Sequence, residues 1–288
     1  KTMLRVVEAA EFDRYIELAY ELAMDPARSG YPTYCDGMKT KGDFVERTRE
    51  SMERADEDVL VFEENGTVEG VIAFQHQEGE RYLHVHCLSI RKDTGRALEE
   101  FVEYCRERWP GAVLDVGLPA ENVDARSWLE GQGVPCIERS WNYLFDLSGY
   151  QPAAEVSGVR PVTEENFEEF AAIHRRVQGE MYWNCERIRK TMEDWHLFIT
   201  GTGDEAGEVI LTGFGGNEHQ EIFALEFADG KYRAEAFQAL LTAALHLLKE
   251  KGTRWLTFFV DVGGPEKEVL DKMGFRCVGE FQAYRVKL

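Results

Sequence analysis

The chain has 288 residues and a 44% hydrophobic fraction, a length and composition that fit two ordinary globular domains better than one. It holds 53 acidic against 33 basic residues, a formal net charge of −20, and such a field repels nucleic-acid backbones and anionic lipids while attracting cations. No run of about 18 apolar residues occurs, so a helical membrane span is excluded, and neither a nucleic-acid nor a membrane partner is expected.

The opening segment, Lys1 to Arg5, leads straight into a strand-like stretch and lacks the apolar core of a secretory signal. Leu4 to Val7 reads as a strand. Phe12, Tyr15, Ile16, Leu18, Ala19 and Leu22 then repeat at helical spacing. A second helix is expected around Arg47 to Met52. Val59 to Phe62 and Gly70 to Phe74 read as strands joined by the hairpin signal Asn65-Gly66. Tyr82 to Ile90 reads as a strand, Arg91 to Gly95 as a loop, and Arg96 to about Arg108 as a long amphipathic helix. A further strand, a helix and a hairpin-like stretch follow, with Gly133-Val134-Pro135-Cys136 and Tyr143 near its end.

The same order then recurs. Val159 to Val162 repeats the first strand, and Phe167, Phe170, Ala171 and Ile173 repeat the first helix. Arg187 to Met192 repeats the second helix, and Leu197 to Ile199 and Val209 to Leu211 repeat the hairpin. Ile222 to Phe227, a loop to Arg233 and a helix from Ala234 to about Lys251 follow, and Gly274 to Cys277 and Tyr284 close the copy. Ser148 to Pro152 reads as the linker. Two consecutive domains are expected, residues 1–148 and 153–288.

The cysteines Cys35, Cys87, Cys105, Cys136, Cys185 and Cys277 form no C-x-x-C pair. Cys87, Cys105 and Cys136 sit in apolar patterns as small core residues, and a reduced, cytoplasmic compartment is expected. His84 and His86 have no third ligand close in sequence, so no metal site is expected.

The loop Lys92-Asp93-Thr94-Gly95-Arg96-Ala97 stands where a strand gives way to a helix. A helix start offers unpaired N–H groups and the positive end of the helix dipole, and small residues let an anion approach. An ordinary turn is the alternative. About 25 residues on comes Asn122-Val123-Asp124-Ala125, then Leu129, then Gly133-Val134. The two stretches resemble the paired motifs R/Q-x-x-G-x-G/A and N-x-x-A-x-x-x-Y-x-x-x-G-F of the GNAT (GCN5-related N-acetyltransferase) family, and the tandem resemblance covers nearly the whole chain.

That resemblance implies an α/β fold of the α+β type: two GNAT-like domains, each a mixed, twisted sheet flanked by helices. It implies acetyl-CoA as acyl donor. Leu88, Ser89 and Ile90 would meet the pantetheine and acetyl group, Lys92 to Ala97 the pyrophosphate, and Asn122 the donor from the far side. Three features depart from the pattern. The loop from Ile90 to Lys92 is short, Leu129 replaces the tyrosine that often protonates the leaving thiolate, and the second copy reads Lys231-Tyr232-Arg233-Ala234-Glu235-Ala236, with Gly263 at the asparagine position. The first copy is therefore expected to hold the donor.

Transfer to an amine needs a proton acceptor. In a regular strand His84 and His86 share one face with Leu88 and suit that role, the alternative being a buried, hydrogen-bonded pair. Glu226 is the weaker choice in the second copy. Tyr31 and Tyr34, and Met181-Tyr182-Trp183 in the second copy, would line an acceptor pocket or serve in packing. The function expected is N-acetyl transfer to a small-molecule or peptide amine. The rivals are a non-catalytic acyl-CoA-binding or scaffold protein, and an interaction module without a ligand.

Overall fold

The computed structural model describes residues 2–30, 40–152, 156–179, 181–212 and 218–288. Its elements follow the expected order. The first set is β1 (Thr2–Val6), α1 (Ala9–Phe12), α2 (Ile16–Ala23), α3 (Lys41–Glu53), β2 (Glu57–Glu64), β3 (Thr67–Gln77), β4 (Tyr82–Ile90), α4 (Thr94–Arg108), β5 (Val113–Pro119), α5 (Val123–Gly131) and β6 (Cys136–Asp146). The second set is β7 (Val159–Pro161), α6 (Phe167–Val177), α7 (Cys185–Lys190), β8 (Trp195–Thr200), β9 (Gly207–Thr212), β10 (His219–Phe227), α8 (Ala234–Glu250), β11 (Trp255–Asp261), α9 (Lys267–Met273) and β12 (Arg276–Lys287). Among the described residues no helix is long and apolar enough to cross a membrane.

The compact units differ from two consecutive halves. The first comprises residues 1–141 and 279–288, the second residues 142–278. The reason lies in strand pairing. β12 runs antiparallel to β5 from Phe281↔Pro119 to Lys287↔Val113, so the last strand of the sequence completes the first unit. Arg285 then forks onto Asp115 through two hydrogen bonds of 2.7 Å, and Leu288 accepts from Gly111 N–H. In the second unit β6 borders β11. The strand order is β1-β2-β3-β4-β5-β12 in the first unit and β7-β8-β9-β10-β11-β6 in the second, one topology used twice.

In the first unit two cores flank the sheet. Ala97, Leu98, Phe101, Val102 and Cys105 of α4 recur at helical spacing and bury against Ile72, Phe74, Leu83, Val85, Leu88 and Ile90. On the opposite face α1 to α3 cover Val59, Val61, Val71 and Ala73 with Phe12, Ala19, Ala23 and Phe44. α3 begins on a capping box, in which Thr40 and Asp43 each accept from the other's backbone N–H. In the second unit α6 and α7 pack on Leu197, Ile199 and Ile210. Cys105 is buried as expected, whereas Cys136 is exposed and Cys87 only partly covered. Cys136 opens β6, whose first four residues all face solvent.

Candidate functional site

In each unit one parallel strand pair opens partway along its length. β4 pairs with β5 only from Tyr82↔Val113 to His84↔Asp115. β10 pairs with β11 only from His219↔Trp255 to Ile222↔Phe258. Each of these strands also carries a bulge at the matching place. Ala73 faces Cys87 and Phe74 faces Val85, which leaves His86 as the extra residue. Leu211 faces Ile222 and Ile210 faces Ala224, which leaves Phe223 as the extra residue.

A bulge shifts the side-chain alternation by one. Leu83 and Val85 therefore share a core with Leu88 and Ile90, and His84 and His86 do not share a face with Leu88. The expectation that they do rests on an unbroken strand, and the inserted residue breaks it. The two imidazoles meet edge to face at 5.2 Å. His84 belongs to a polar row across five strands, Glu57–Gln75–His84–Asp115–Arg285, given by the pairing registers. Tyr82 donates to Asp115 at 3.1 Å, and Arg47 and Arg54 hold the buried Glu57. Burial pushes that carboxyl up, and the Arg47 and Ser51 hydrogen bonds outweigh it and hold it low.

His86 Nε2 lies 3.8 Å from Glu57 Oε1, beyond hydrogen-bond reach, and is buried without a partner. Burial, reinforced by His84, pushes His86 down to about 3. Burial lowers His84 as well. Both rings are thus neutral near pH 7, and His86 has little affinity for a proton.

Beyond His84 the gap beside β4 is taken by the chain itself. Ile90 N–H donates to Arg28 O at 3.0 Å, and Asn122 Nδ2 donates to Ser29 O at 2.6 Å. Arg28 also bonds to the Arg91 carbonyl. Gly30 lies so close that a Cβ there would stand 2.8 Å from Leu88 Cβ and 2.9 Å from Leu88 N. Ser29 and Gly30 are buried. Arg28 to Gly30 is thus a strap from β4 to the start of α5, and Asn122 both holds it and caps α5 by accepting from Ala125 N–H.

The expected anion loop has an open helix start. Asp93 precedes α4 in the left-handed region at φ 52°, makes no side-chain cap, and no acid occupies the first turn. Its basic residues are partnered: Arg91 and Lys92 approach the buried Glu69 at 3.7 and 3.6 Å, and Arg96 approaches Glu100 at 3.4 Å. Gly95 makes room for Trp128, whose Cδ1 would lie 2.9 Å from an added Cβ. Thr94 and Ala97 face inward, and Leu88, Ser89 and Ile90 are fully buried. Tyr31 and Tyr34 lie outside the described residues.

The second unit holds a different cluster. Glu208 and Glu226 stand directly opposite on β9 and β10. Glu208 Oε1 lies 2.6 Å from His174 Nδ1, and both side chains are fully buried. His174 Nε2 is 2.9 Å from the Trp183 carbonyl, so Nε2 carries a proton and donates. Nδ1 then shares the second proton with Glu208. Burial raises Glu208; it also works against protonated His174, but the Glu208 bond prevails and raises that group too. Burial, with Glu208, Asp261 and Glu266 adding repulsion, pushes Glu226 up to about 7.

Sequence reasoning named Glu226 but missed Glu208, His174 and the strap. His174 carried a signal, a histidine within the apolar stripe of Phe167, Phe170, Ala171 and Ile173. Glu208 shows only through the β9–β10 register, and the strap leaves no periodic trace.

No protein-family model matches the sequence, and no curated protein matches it. Solved structures do. A GCN5-related N-acetyltransferase from Sphaerobacter thermophilus is 15% identical, with TM-score 0.67 over 99% of this chain and 95% of that one. A tandem GNAT protein from the clavulanic acid biosynthesis pathway is 16% identical, with TM-score 0.60 over 100% of this chain and 98% of that one. A GCN5-related glucosamine N-acetyltransferase region of a fungal multi-domain β-N-acetylglucosaminidase is 12% identical, with TM-score 0.65 over 99% of this chain and 38% of that one. The repeated topology, the paired bulges and these likenesses agree: the chain has the fold of the GCN5-related N-acetyltransferases, in tandem.

Proposed function

We propose that the chain is an acetyl-CoA-dependent N-acetyltransferase that acts on a small-molecule or peptide amine. One observation carries the reading: the parallel pair β4/β5 opens after His84 and leads into the N-terminus of α4, which makes no side-chain cap and has no acid in its first turn. Such a start suits a diphosphate through its orphan N–H groups and its dipole. Arg91, Lys92 and Arg96 lie beside it, and their carboxylate partners are close enough to trade places with an anion.

The pantetheine end fits less directly. The edge of β4 that would pair with a pantetheine amide is bonded to Arg28 and packed against Gly30. Donor binding along this edge therefore requires the strap to leave, which frees Ile90 N–H and Asn122 Nδ2 for the donor. Acetyl-CoA brings the activated acyl group. The chain's part is to hold the donor, exclude water and take up the amine's proton. Neutral His84 has a lone pair for that step in the first unit, whereas His86, pushed down to about 3, is too weak a base for it, and Glu226 is tuned nearer neutral pH in the second.

A second reading, a protein that binds acyl-CoA without turning it over, is favoured by the strap and by Leu129. That side chain is fully buried in the core and offers no proton to a leaving thiolate. Calorimetry and thermal unfolding with acetyl-CoA separate the readings from the absence of any donor site, because a ligand of the native state raises its stability by mass action. Saturable binding near one per chain, followed by thiol release in an amine screen, is the expected result. Binding without thiol release selects the second reading, and no binding at millimolar acetyl-CoA refutes both.

A further inference from the structure

In the second unit the C-terminal half of α8 lies over β7 and β8. A cavity of about 430 Å³ stands between them. Val159, His196 and Phe198 line it from the sheet, and Ala243, His246 and Leu247 line it from the helix. Small-molecule sites span roughly 300–1,000 Å³, so the space is of a size to hold one. It is separate from the opening between β10 and β11. Ala243 lies nine residues beyond the first residue of α8, roughly 14 Å along the helix axis.

The duplication shows what this space is shaped to hold. Four buried residues of α4, Leu98, Phe101, Val102 and Cys105, recur on α8 at the same spacing as Phe237, Leu240, Leu241 and Ala244. Matching backbone bonds align the strands: Val7 N–H donates to Val59 O, and Val162 N–H donates to Leu197 O, both at 2.9 Å. Ala243 therefore stands at the place of Tyr104, Leu247 at that of Arg108, and His196 at that of Asp58. In the first unit a ring occupies the place. Tyr104 meets Phe74, the strand partner of Asp58, at 6.3 Å, and Trp109 at 6.4 Å. The Arg108 guanidinium covers that ring 3.6 Å from its centroid. The second unit keeps the scaffold without the ring, because Ala243 has no side chain beyond Cβ.

One polar atom in the wall is unsatisfied. His246 Nε2 is buried and has no hydrogen-bond partner. A buried nitrogen in that state is costly, and a hydroxyl group meets it as donor or as acceptor. Val159, Phe198 and Leu247 are only half-buried, so a ligand has both a way in and apolar surface to cover. Glu250 stands at the rim and repels an anion. A neutral ring with one hydroxyl satisfies each of these conditions, and a phenol stays neutral near pH 7.

We propose that the second unit binds a small neutral aromatic molecule, a para-substituted phenol, in the cavity between α8 and the β7–β8 edge. Its ring takes the place that Tyr104 fills in the first unit, and its hydroxyl bonds to His246 Nε2. The site does not depend on the acetyltransferase reading.

The test is a ligand-detected NMR titration of the full chain at pH 7, on the wild type, Ala243→Tyr and His246→Phe. The probes are p-cresol, the free equivalent of a tyrosine side chain, and toluene, which lacks the hydroxyl. p-Cresol should bind the wild type saturably with Kd on the order of 0.1–1 mM. It should bind about threefold or more tighter than toluene, because only p-cresol satisfies the imidazole. Ala243→Tyr should weaken p-cresol about tenfold, since the added ring takes its place. His246→Phe should reduce p-cresol to the affinity of toluene. No saturable binding overturns the proposal, and so does p-cresol binding that is unchanged in Ala243→Tyr. Equal affinity for the two probes, or p-cresol binding unchanged in His246→Phe, overturns it as well, because an apolar surface without a place for the hydroxyl would then explain the effect. Thermal unfolding shows whether each variant is folded; if Ala243→Tyr is not, Ala243→Leu fills part of the same space and should still weaken p-cresol. Acetyl-CoA titrated into the same samples reads the donor site separately, so the two proposals fail independently.

Discussion

Replacing Glu226 by glutamine removes one titrating group and keeps its shape, so the difference in stability from wild type isolates that carboxyl. Burial, with Glu208, Asp261 and Glu266 repelling it, moves the group from 4.5 to about 7 in the folded chain. Below about 4.5 folded and unfolded chains both hold the proton, and folding loses nothing. Between 4.5 and 7 the unfolded chain releases it while the folded chain retains it, so stability falls as pH rises, and above 7 the loss is complete. At about 1.4 kcal/mol for each pH unit of displacement, the ceiling is about 3.5 kcal/mol. Glu226 keeps some contact with water, which lowers the expectation to about 2 kcal/mol. Urea unfolding of both proteins from pH 4.5 to 8.5 is the assay. The variant should match wild type near pH 4.5 and exceed it by about 2 kcal/mol at pH 8. A difference that does not change with pH, or a variant less stable at pH 8, refutes the account.

Gly30→Ala should push the strap away from Leu88, because the new Cβ would overlap backbone as well as side chain. The expected outcome by calorimetry is several-fold tighter acetyl-CoA binding and a stability loss of about 1–2 kcal/mol; unchanged or weaker donor binding contradicts the strap's role. Arg285→Met strips Asp115 of a two-pronged partner and should cost about 2–3 kcal/mol in chemical unfolding. Adding Asp115→Asn should recover most of that loss, and strictly additive effects would show that the pair does not act as a unit. His86 works in the opposite sense to Glu226. The unfolded chain takes up a proton below about 6.5 and the folded chain not until about 3, so stability falls as pH drops through that window. His86→Asn should flatten that acid-side loss in thermal unfolding from pH 7 to 4, and an unaltered slope counts against the buried neutral imidazole.

The strands and helices were legible because each carries its own period. The apolar stripe of α4 states its face, and the continuous apolar runs of β2 and β3 mark strands covered on both sides. The duplication was legible for the same reason: two similar patterns in one order require two similar sheets. The open start of α4 could be inferred too, since capping and first-turn chemistry are local. The shared face assigned to His84, His86 and Leu88 failed on a single extra residue, because a bulge arises from pairing with β3 and leaves no mark in β4 alone.

The sequence by itself thus determined the elements and their repetition, which follow from local periodicity and turn chemistry, while the tandem fold class was implied by the resemblance of two motifs to the GNAT pattern. Only the tertiary structure decided which sheet the final strand completes, what lies along the edge of β4, and which carboxyls meet. β12 joins β5, Arg28 to Gly30 borders Ile90, and Glu208 faces Glu226 through contacts between distant or differently registered segments. Backbone hydrogen bonds are satisfied by any strand of suitable length. The choice among such strands is made by packing of the whole chain, and no local pattern records it.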